Sequence, residues 1–519
     1  MNRNKFLFFL FAALTGVISF PSCTNLEVDE KDSVVAESTT GEFKGDGPAL
    51  LSSAYNDLGA FNDQANIYSL FEHVSDEMIP PTRGVDWGDN GVWRTLHQHT
   101  WDATHSGVLG SWNQLNSYAF KCNQILASND PAPNDQEIAE AKFLRAFYRW
   151  HVMDLWGQVP DRGVNEGVDV NPKVYTRSEA FDLIVKDLED ALPNLPVQGP
   201  SGDPAISGKA SKAAANALLA RLYLNKAVYK NDDPTGNYKF DNADMDKVIQ
   251  YCDAIQADGY SLEDDYFANF TTSASKEVIF EVPVGSAQNR YYMTLHYNQD
   301  PSGWNGFTTL ADFYDKFDAT DSRRGYYAPD PAVKYSWLAH GFLIGQQQGP
   351  KKNDKGEYIL DSNGNYIIED LIDTRSSKPL QFTRDVPLSG AATEKGIRVL
   401  KYHPMNPSQI VLMRWAEFML SKAEAMLRKG DEAGALALVN ALRAKRGAPA
   451  LTSLDLNSML DERGRELYWE GFRRIDQVRF GTFANTWSEK TSTEAFRVLF
   501  PIPQQALDSN PNLTQNNGY

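Results

Sequence analysis

The stretch from Ser75 to Trp101 holds the side chains best suited to chemistry. It reads Ser75-Asp76-Glu77-Met78-Ile79-Pro80-Pro81-Thr82-Arg83-Gly84-Val85-Asp86-Trp87-Gly88-Asp89-Asn90-Gly91-Val92-Trp93, with Thr100-Trp101 close behind. Trp112 follows, so four of the 11 tryptophans lie within 26 of the chain's 519 residues. An indole offers a flat, electron-rich face on which the polarised C–H groups of a pyranose can stack. Asp, Asn and Arg supply the planar, paired hydrogen-bonding groups that equatorial hydroxyls need. Ser302-Gly303-Trp304-Asn305-Gly306 repeats the combination far downstream. The candidate glycan-binding residues are therefore Trp87, Trp93, Trp101 and Trp304 for stacking, with Asp76, Arg83, Asp86 and Asn305 for hydroxyl geometry. Trp112 runs in helical register with Leu115 and Ala119 and is assigned to packing, as are Trp150, Trp156 and Trp415.

Other clusters read as structure. Glu462, Glu466 and Glu470 recur at helical spacing, and paired carboxylates interest a glycosidase. However, Arg463, Arg465, Arg473, Arg474 and Arg479 surround them and would lower their pKa values, the reverse of what a general acid requires. His97, His99 and His105 could offer imidazoles to a metal, but hydrogen-bonded histidines are the simpler reading. Gly202 to Lys209 imitates a phosphate loop, yet five residues separate the glycines and Ala210 replaces the Mg²⁺-holding hydroxyl. Asp361-Ser362-Asn363-Gly364-Asn365 lacks the glutamate of a calcium loop, Ile372 standing in its place, and suits a hairpin turn. No catalytic residue, cofactor or metal is expected.

The elements that must carry these residues are mostly helical. Apolar Phe143, Phe147, Trp150 and Leu155 mark a helix over Glu137–Trp156, ended by Gly157. Thr176 and Glu179 form a capping box for a helix to Leu192, and Ala210–Tyr229 is rich in alanine. From about Tyr260 to His403 the pattern turns irregular, with a strand near Glu277–Val282 and the Asn363-Gly364 hairpin. Helical spacing returns at Leu412, Trp415, Met419, Ala423 and Met426. Gly430 and Asp431 then turn the chain into a second helix bearing Leu438 and Leu442, an αα-hairpin.

The formal charge of -18 argues against a phosphate-backbone binder. At the amino end, Arg3 and Lys5 precede an apolar run to Phe20, then Pro21-Ser22-Cys23. This suits a lipoprotein signal of residues 1–22 with Cys23 as the lipidated residue, followed by an acidic tether over 23–40. Removing Arg3 and Lys5 with the signal takes the charge from -18 to -20. Cys122 and Cys252 allow one disulfide or two buried thiols.

Several runs in the expected order resemble the SusD/RagB family. They are Glu140-Ala141-Lys142-Phe143-Leu144-Arg145, Gly208 to Leu224, Arg414-Trp415-Ala416-Glu417, Asp461 to Gly481, and Phe500-Pro501-Ile502-Pro503 with the closing Asn510 to Gln515. The resemblance covers essentially the whole mature chain. It implies a mostly α fold, a superhelix of tetratricopeptide-like helix pairs packed against an irregular region with short β-hairpins. It also implies an outward-facing, lipid-anchored outer-membrane protein that captures an oligo- or polysaccharide for a SusC-like TonB-dependent transporter, without catalysis. On this reading residues 41–519 form one domain, with helical scaffold at 41–259 and 408–481, a ligand-region insertion at 260–407 and a C-terminal extension at 482–519. A peptide or other nutrient on the same scaffold, a surface glycoside hydrolase and a purely structural helical adaptor are the alternatives.

Overall fold

A computed structural model describes residues 43–167 and 169–519. The expected signal segment, Cys23 and the tether lie outside these residues. The fold is mostly α, with short strand pairings confined to small sheets.

Helices form where caps and apolar spacing coincide. Asn134 and Glu137 close a reciprocal capping box at the start of Asp135–Trp156, and Gly157 ends that helix at φ 71°. A residue with a Cβ would resist this left-handed cap. Thr176 and Glu179 form the expected second box, opening Arg177–Ala191. Consecutive helices then stack. Ser106–Ala127 packs on Asp135–Trp156, that helix on Arg177–Ala191, and Lys212–Leu224 on Asn242–Ala257, which meets Trp415–Arg428.

Two details differ from the sequence reading. The alanine-rich helix divides at Asn225 into Lys212–Leu224 and Lys226–Tyr229. The Asn225 amide donates back to the Arg221 carbonyl and accepts from Arg479, so its side chain competes with the helical ladder. Leu412 belongs to the strand Val411–Arg414, paired with Val278–Glu281, and the following helix starts only at Trp415. That helix and Glu432–Lys445 make the expected αα-hairpin, with Ala416, Ala423 and Ala435 buried at the contact. Trp112, Trp150, Trp156 and Trp415 are all core residues.

Between the helical parts, the chain makes two-stranded pairings over a second core that includes Tyr291, Leu295, Trp337, Leu380 and Phe382. The Asp361 carboxylate accepts from the N–H groups of Asn363 and Asn365 at 2.8 and 2.9 Å, and Leu360 bridges Tyr366, so this stretch is a hairpin turn. Cys122 and Cys252 are buried and unpaired. Burial pushes the Cys122 thiol up to about 12.

A buried ion network joins the helical part to the irregular part. Glu462 and Glu466 lie on the helix Leu456–Leu467. Glu470 does not share its face, because the helix stops at Leu467 and Trp469, at φ 59°, turns the chain. Arg414 nevertheless reaches Glu466 at 2.8 Å, Glu470 at 2.7 Å and Glu277 at 2.5 Å. Arg446 and Arg323 also bind Glu466, at 2.9 and 3.1 Å. Glu462 receives Arg323, Arg443 and Arg465 at 2.8, 2.6 and 2.6 Å. Burial alone would raise the Glu462 carboxyl. Arg323, Arg465 and Arg443 outweigh it and hold the group down to about 2. Glu466 and Glu470 are likewise held below the ordinary range by their arginines, against burial. Carboxyls so depressed cannot serve as general acids near neutral pH.

Removing one member strands the others as unpaired buried charges. Glu466→Gln should cost about 3–5 kcal/mol of stability, read as a lowered denaturation midpoint. The sign of the pH dependence follows from the folded value lying below the unfolded one. The contribution of Glu462 is complete above roughly pH 4.3 and fades as pH falls toward about 2. Glu72 behaves oppositely. Burial raises its carboxyl to about 7, although the Gly471 N–H donates to it and Lys401 and Arg290 lie near. Its folded value exceeds the unfolded one, so Glu72 weakens the fold as pH climbs from roughly 4.3 to about 7. Glu72→Gln should therefore raise the thermal midpoint at pH 8 more than at pH 5, since an amide oxygen can still accept from Gly471.

Candidate functional site

Three non-helical segments meet on one side of the irregular region. Ile79 and Thr308 exchange backbone hydrogen bonds at 2.8 and 3.1 Å, and Thr309 bridges Ile397. Thr82 bonds through its backbone to Leu388 and Ala391, and its hydroxyl accepts from the Gly390 N–H. Within the second segment the loop closes on itself. The N–H groups of Trp304, Asn305 and Gly306 donate to the carbonyls of Tyr292, Leu295 and Met293 at 2.6, 2.8 and 3.0 Å.

These contacts assemble a row of rings from both aromatic stretches. Trp93 and Trp87 meet edge-on at 5.9 Å, Trp87 and Trp304 lie 6.5 Å apart, and Trp304 stacks on Tyr292 at 5.7 Å with 30° between planes. Tyr291 continues the row 4.5 Å beyond Tyr292. The row emerges from the core and returns to it. Trp93 is 7% exposed, Trp87 half-buried, Trp304 41% exposed, Tyr292 half-buried and Tyr291 buried. The result is a ledge of three accessible rings: Trp87, Trp304 and Tyr292.

Local geometry fixes the ledge. Trp87 adopts φ 62°, placing its indole over Gly306, where a Cβ would come within 2.7 Å of the indole ring. Glycine is the residue that permits this approach. The Trp87 Nε1–H donates to the Trp304 carbonyl at 3.0 Å, tying the two stretches together. Phe307 supports Trp87 from below at 4.7 Å. His73 packs against Phe307 and Trp93, and burial lowers its pKa to about 3, so it is a neutral ring at physiological pH.

The structure separates the expected contact residues into two groups. Trp87 and Trp304 present ring surface, and Asp86 stands exposed on the turn before Trp87. The others are turned inward. Trp93 is buried, with its Nε1–H held by Asp89 at 2.5 Å. Trp101 is 1% exposed and donates to the Tyr519 hydroxyl at 2.7 Å, so it has no face to offer a ligand. The Asp76 carboxylate is engaged by Arg473 at 2.6 and 2.8 Å. Arg83 is buried and donates to the carbonyls of Ala392, Thr393 and Lys395. Asn305 donates to the Thr393 carbonyl at 3.1 Å and accepts from Arg398 at 2.6 Å. Of the polar residues expected to contact ligand, Arg83, Asn305 and, through Arg473, Asp76 are instead struts that hold the ledge, and Asp89 joins them by holding Trp93.

Tyr292 escaped the sequence reading. Its only signal is the Tyr291-Tyr292 doublet a short loop before Trp304. His97, His99 and His105 each place a ring nitrogen on a backbone carbonyl, and no metal-ligating cluster occurs among the described residues.

Against known proteins, a family model described as "SusD family" matches residues 276–519. A second, "Starch-binding associating with outer membrane", matches residues 29–224. The starch-binding protein SusD of Bacteroides thetaiotaomicron is 25% identical over 510 residues, covering 87% of this chain and 83% of that protein. A laminarin-binding SusD-like protein of known structure superposes with a TM-score of 0.66 at 21% identity, over 92% of this chain and 100% of that one. The surface glycan-binding protein A of Bacteroides thetaiotaomicron, solved with laminarihexaose, gives 0.62 at 19% identity, over 91% and 99%.

The ledge yields a stability test. Trp93→Ala removes a buried indole and should cost about 3–5 kcal/mol. Trp304→Ala removes a ring from the surface and should change stability by roughly 1 kcal/mol or less. Thermal unfolding of the two variants checks the contrast.

Proposed function

The chain belongs to the SusD/RagB family, and on that premise we propose that it is a glycan-binding protein of the outer-membrane surface. It captures oligo- or polysaccharide and passes it to a SusC-like TonB-dependent transporter. Cys23 is its lipid anchor, no bond is cleaved, and no cofactor takes part. The observation that carries this reading is the ledge of Trp87, Trp304 and Tyr292, three rings of graded exposure held at 5.7 to 6.5 Å spacing by a fixed backbone.

Mechanism follows from that geometry. Successive pyranose faces lie on the rings, and each stacked sugar removes apolar C–H and ring surface from water. The rings are already in place, so binding costs little ordering entropy. Asp86 and the exposed backbone around Ser302 lie at the rim and meet hydroxyls there. Trp93, Trp101, Asp76, Arg83 and Asn305 act as positioning residues. The proposed division of the chain, with scaffold at 41–259 and 408–481 around the insertion at 260–407, puts Trp304 and Tyr292 in the insertion and Trp87 in the scaffold. The relatives named for starch and laminarin binding support sugar over peptide as the ligand class.

Native gel retardation against a panel of polysaccharides tests the proposal. Wild type should be retarded by at least one glycan, and Trp304→Ala and Tyr292→Ala should each weaken that retardation about tenfold or more, roughly 1.4 kcal/mol. Retardation by none of the panel would overturn the glycan reading, and release of reducing sugar would overturn binding without cleavage.

A further inference from the structure

Beside the ledge lies an open cleft of about 700 Å³, bounded by the Arg83–Asp86 turn, the segment Asp373–Thr383 and the loop Ala391–Glu394. Its charge is unusual for so acidic a chain. Arg83, on its wall, is 4% exposed, and Arg398, behind it, is fully buried. Neither forms an ion pair among the described residues. Arg83 donates only to carbonyls. Arg398 donates to the carbonyls of Lys395, Gly396 and Thr393 and to the Asn305 amide oxygen. The Nε of each has no partner. The contrast is with Arg323, Arg414 and Arg446, whose carboxylates the fold supplies.

Two more cations sit at the mouth. Arg375 and Lys378 are exposed and form no ion pair among the described residues, and the Arg375 guanidinium rests on the Tyr297 ring at 4.2 Å. The carboxylates nearby are mostly committed. Asp373 accepts from the Arg375 N–H and from the hydroxyls of Ser376 and Thr393 at 3.0, 2.9 and 2.8 Å. Asp385 takes Lys395 at 2.7 Å. Glu394 is the one remaining carboxylate that faces Arg83 and Arg398. Four cations therefore confront Asp373, Glu394 and the exposed Asp86 of the bounding turn.

Buried guanidiniums that form no ion pair, with Glu394 the carboxylate opposite them, project their field into the adjoining solvent-filled space, where low-dielectric walls focus it. Guanidinium forks and hydroxyls at the mouth match the planar or tetrahedral oxygens of an oxyanion. The cleft is continuous with the ledge through the chain itself. Asn305, next to Trp304, bonds the cleft residue Thr393, and the Arg83–Asp86 turn leads into Trp87.

We infer that the cleft seats an anionic substituent, a carboxylate or a sulfate ester, of the glycan whose rings lie on Trp87, Trp304 and Tyr292. The inference rests on the glycan reading above and narrows it to acidic or sulfated polysaccharides. The anion completes a charge arrangement that the fold leaves unbalanced. Neutral sugars use the ledge alone and bind more weakly.

Calorimetric titration of the whole protein distinguishes the possibilities, using a neutral β-glucan, polygalacturonate and a sulfated galactan. The variants are Trp304→Ala and the double substitution Arg375→Ala/Lys378→Ala, both at exposed positions where the fold should persist, as circular dichroism would verify. Wild type should bind one of the two anionic polymers at least about tenfold more tightly than the neutral glucan, and whichever binds identifies carboxylate or sulfate as the source. The double variant should lose about tenfold or more on that polymer while its binding to the neutral glucan stays within about twofold. Raising salt from about 50 to about 500 mM should weaken the anionic ligand and spare the neutral one. If the neutral glucan binds as well as both anionic polymers and the double variant matches wild type, the inference is overturned while the glycan reading stands, provided Trp304→Ala abolishes that binding. If no polymer binds, both fall.

Discussion

The carboxylate of Glu466 receives guanidinium groups from three distant places: Arg323 in the irregular region, Arg414 at the end of a strand, and Arg446 behind the αα-hairpin. Through Arg414 the same network takes in Glu277 and Glu470, and through Arg323 it takes in Glu462 and Asp321. Apolar contacts could hold helix on helix here, but they are non-directional. Fork-shaped donors meeting carboxylates at 2.5 to 3.1 Å impose one register between the helices and the strands that cross them. The helix Leu456–Leu467 is thereby locked to residues more than a hundred positions away. The backbone that follows, with Trp469 in the left-handed region, is held by Glu72 and Glu77, which accept from the N–H groups of Gly471 and Trp469. Those two glutamates begin the chain leading to the aromatic ledge, so the ion network positions the ledge indirectly.

Much of this was legible from residue order. The capping box at Thr176, the Gly157 stop and the Gly430-Asp431 turn are local signals, decided within one helical turn, and the helices follow them. The split at Asn225 and the strand at Leu412 were not visible, because each depends on a partner far away in sequence: Arg479 for the first and Val278–Glu281 for the second. The ledge divides in the same way. Residue type identified Trp87 and Trp304 as surface rings. Type could not say that Trp93 and Trp101 point inward, since an indole serves equally well in either place. Nor could it say that Asp76, Arg83 and Asn305 spend their hydrogen bonds on Arg473 and on backbone carbonyls. Tyr292 becomes recognisable only when its loop closes onto Trp304.

The ledge and the motifs that carry the family resemblance occupy different parts of the molecule. Apart from the closing runs at 500–503 and 510–515, those motifs lie largely in the helices and in the Arg–Glu network, where a change leaves buried charge unpaired. The rings sit on short non-helical segments tied by a few backbone bridges, such as Ile79 to Thr308 and Thr309 to Ile397. Solved relatives at 17–21% identity share the fold over 91–92% of this chain. The two buried thiols belong to the scaffold as well. Cys122 and Cys252 pack in separate helices and contribute no cross-link.

The hydrogen bond from the Trp87 indole to the Trp304 carbonyl has a consequence for selectivity. It occupies the one polar group of the Trp87 side chain, so the indole turns only carbon surface toward solvent. On the proposed glycan reading, a sugar approaching that ring meets a face that registers the flatness and pitch of successive rings and makes no hydrogen bond to any single hydroxyl. Epimers that stack equally well are equivalent there. Under that reading discrimination between them falls to groups at the rim, and the ledge would be a gauge of chain shape, with stereochemistry read at its edges.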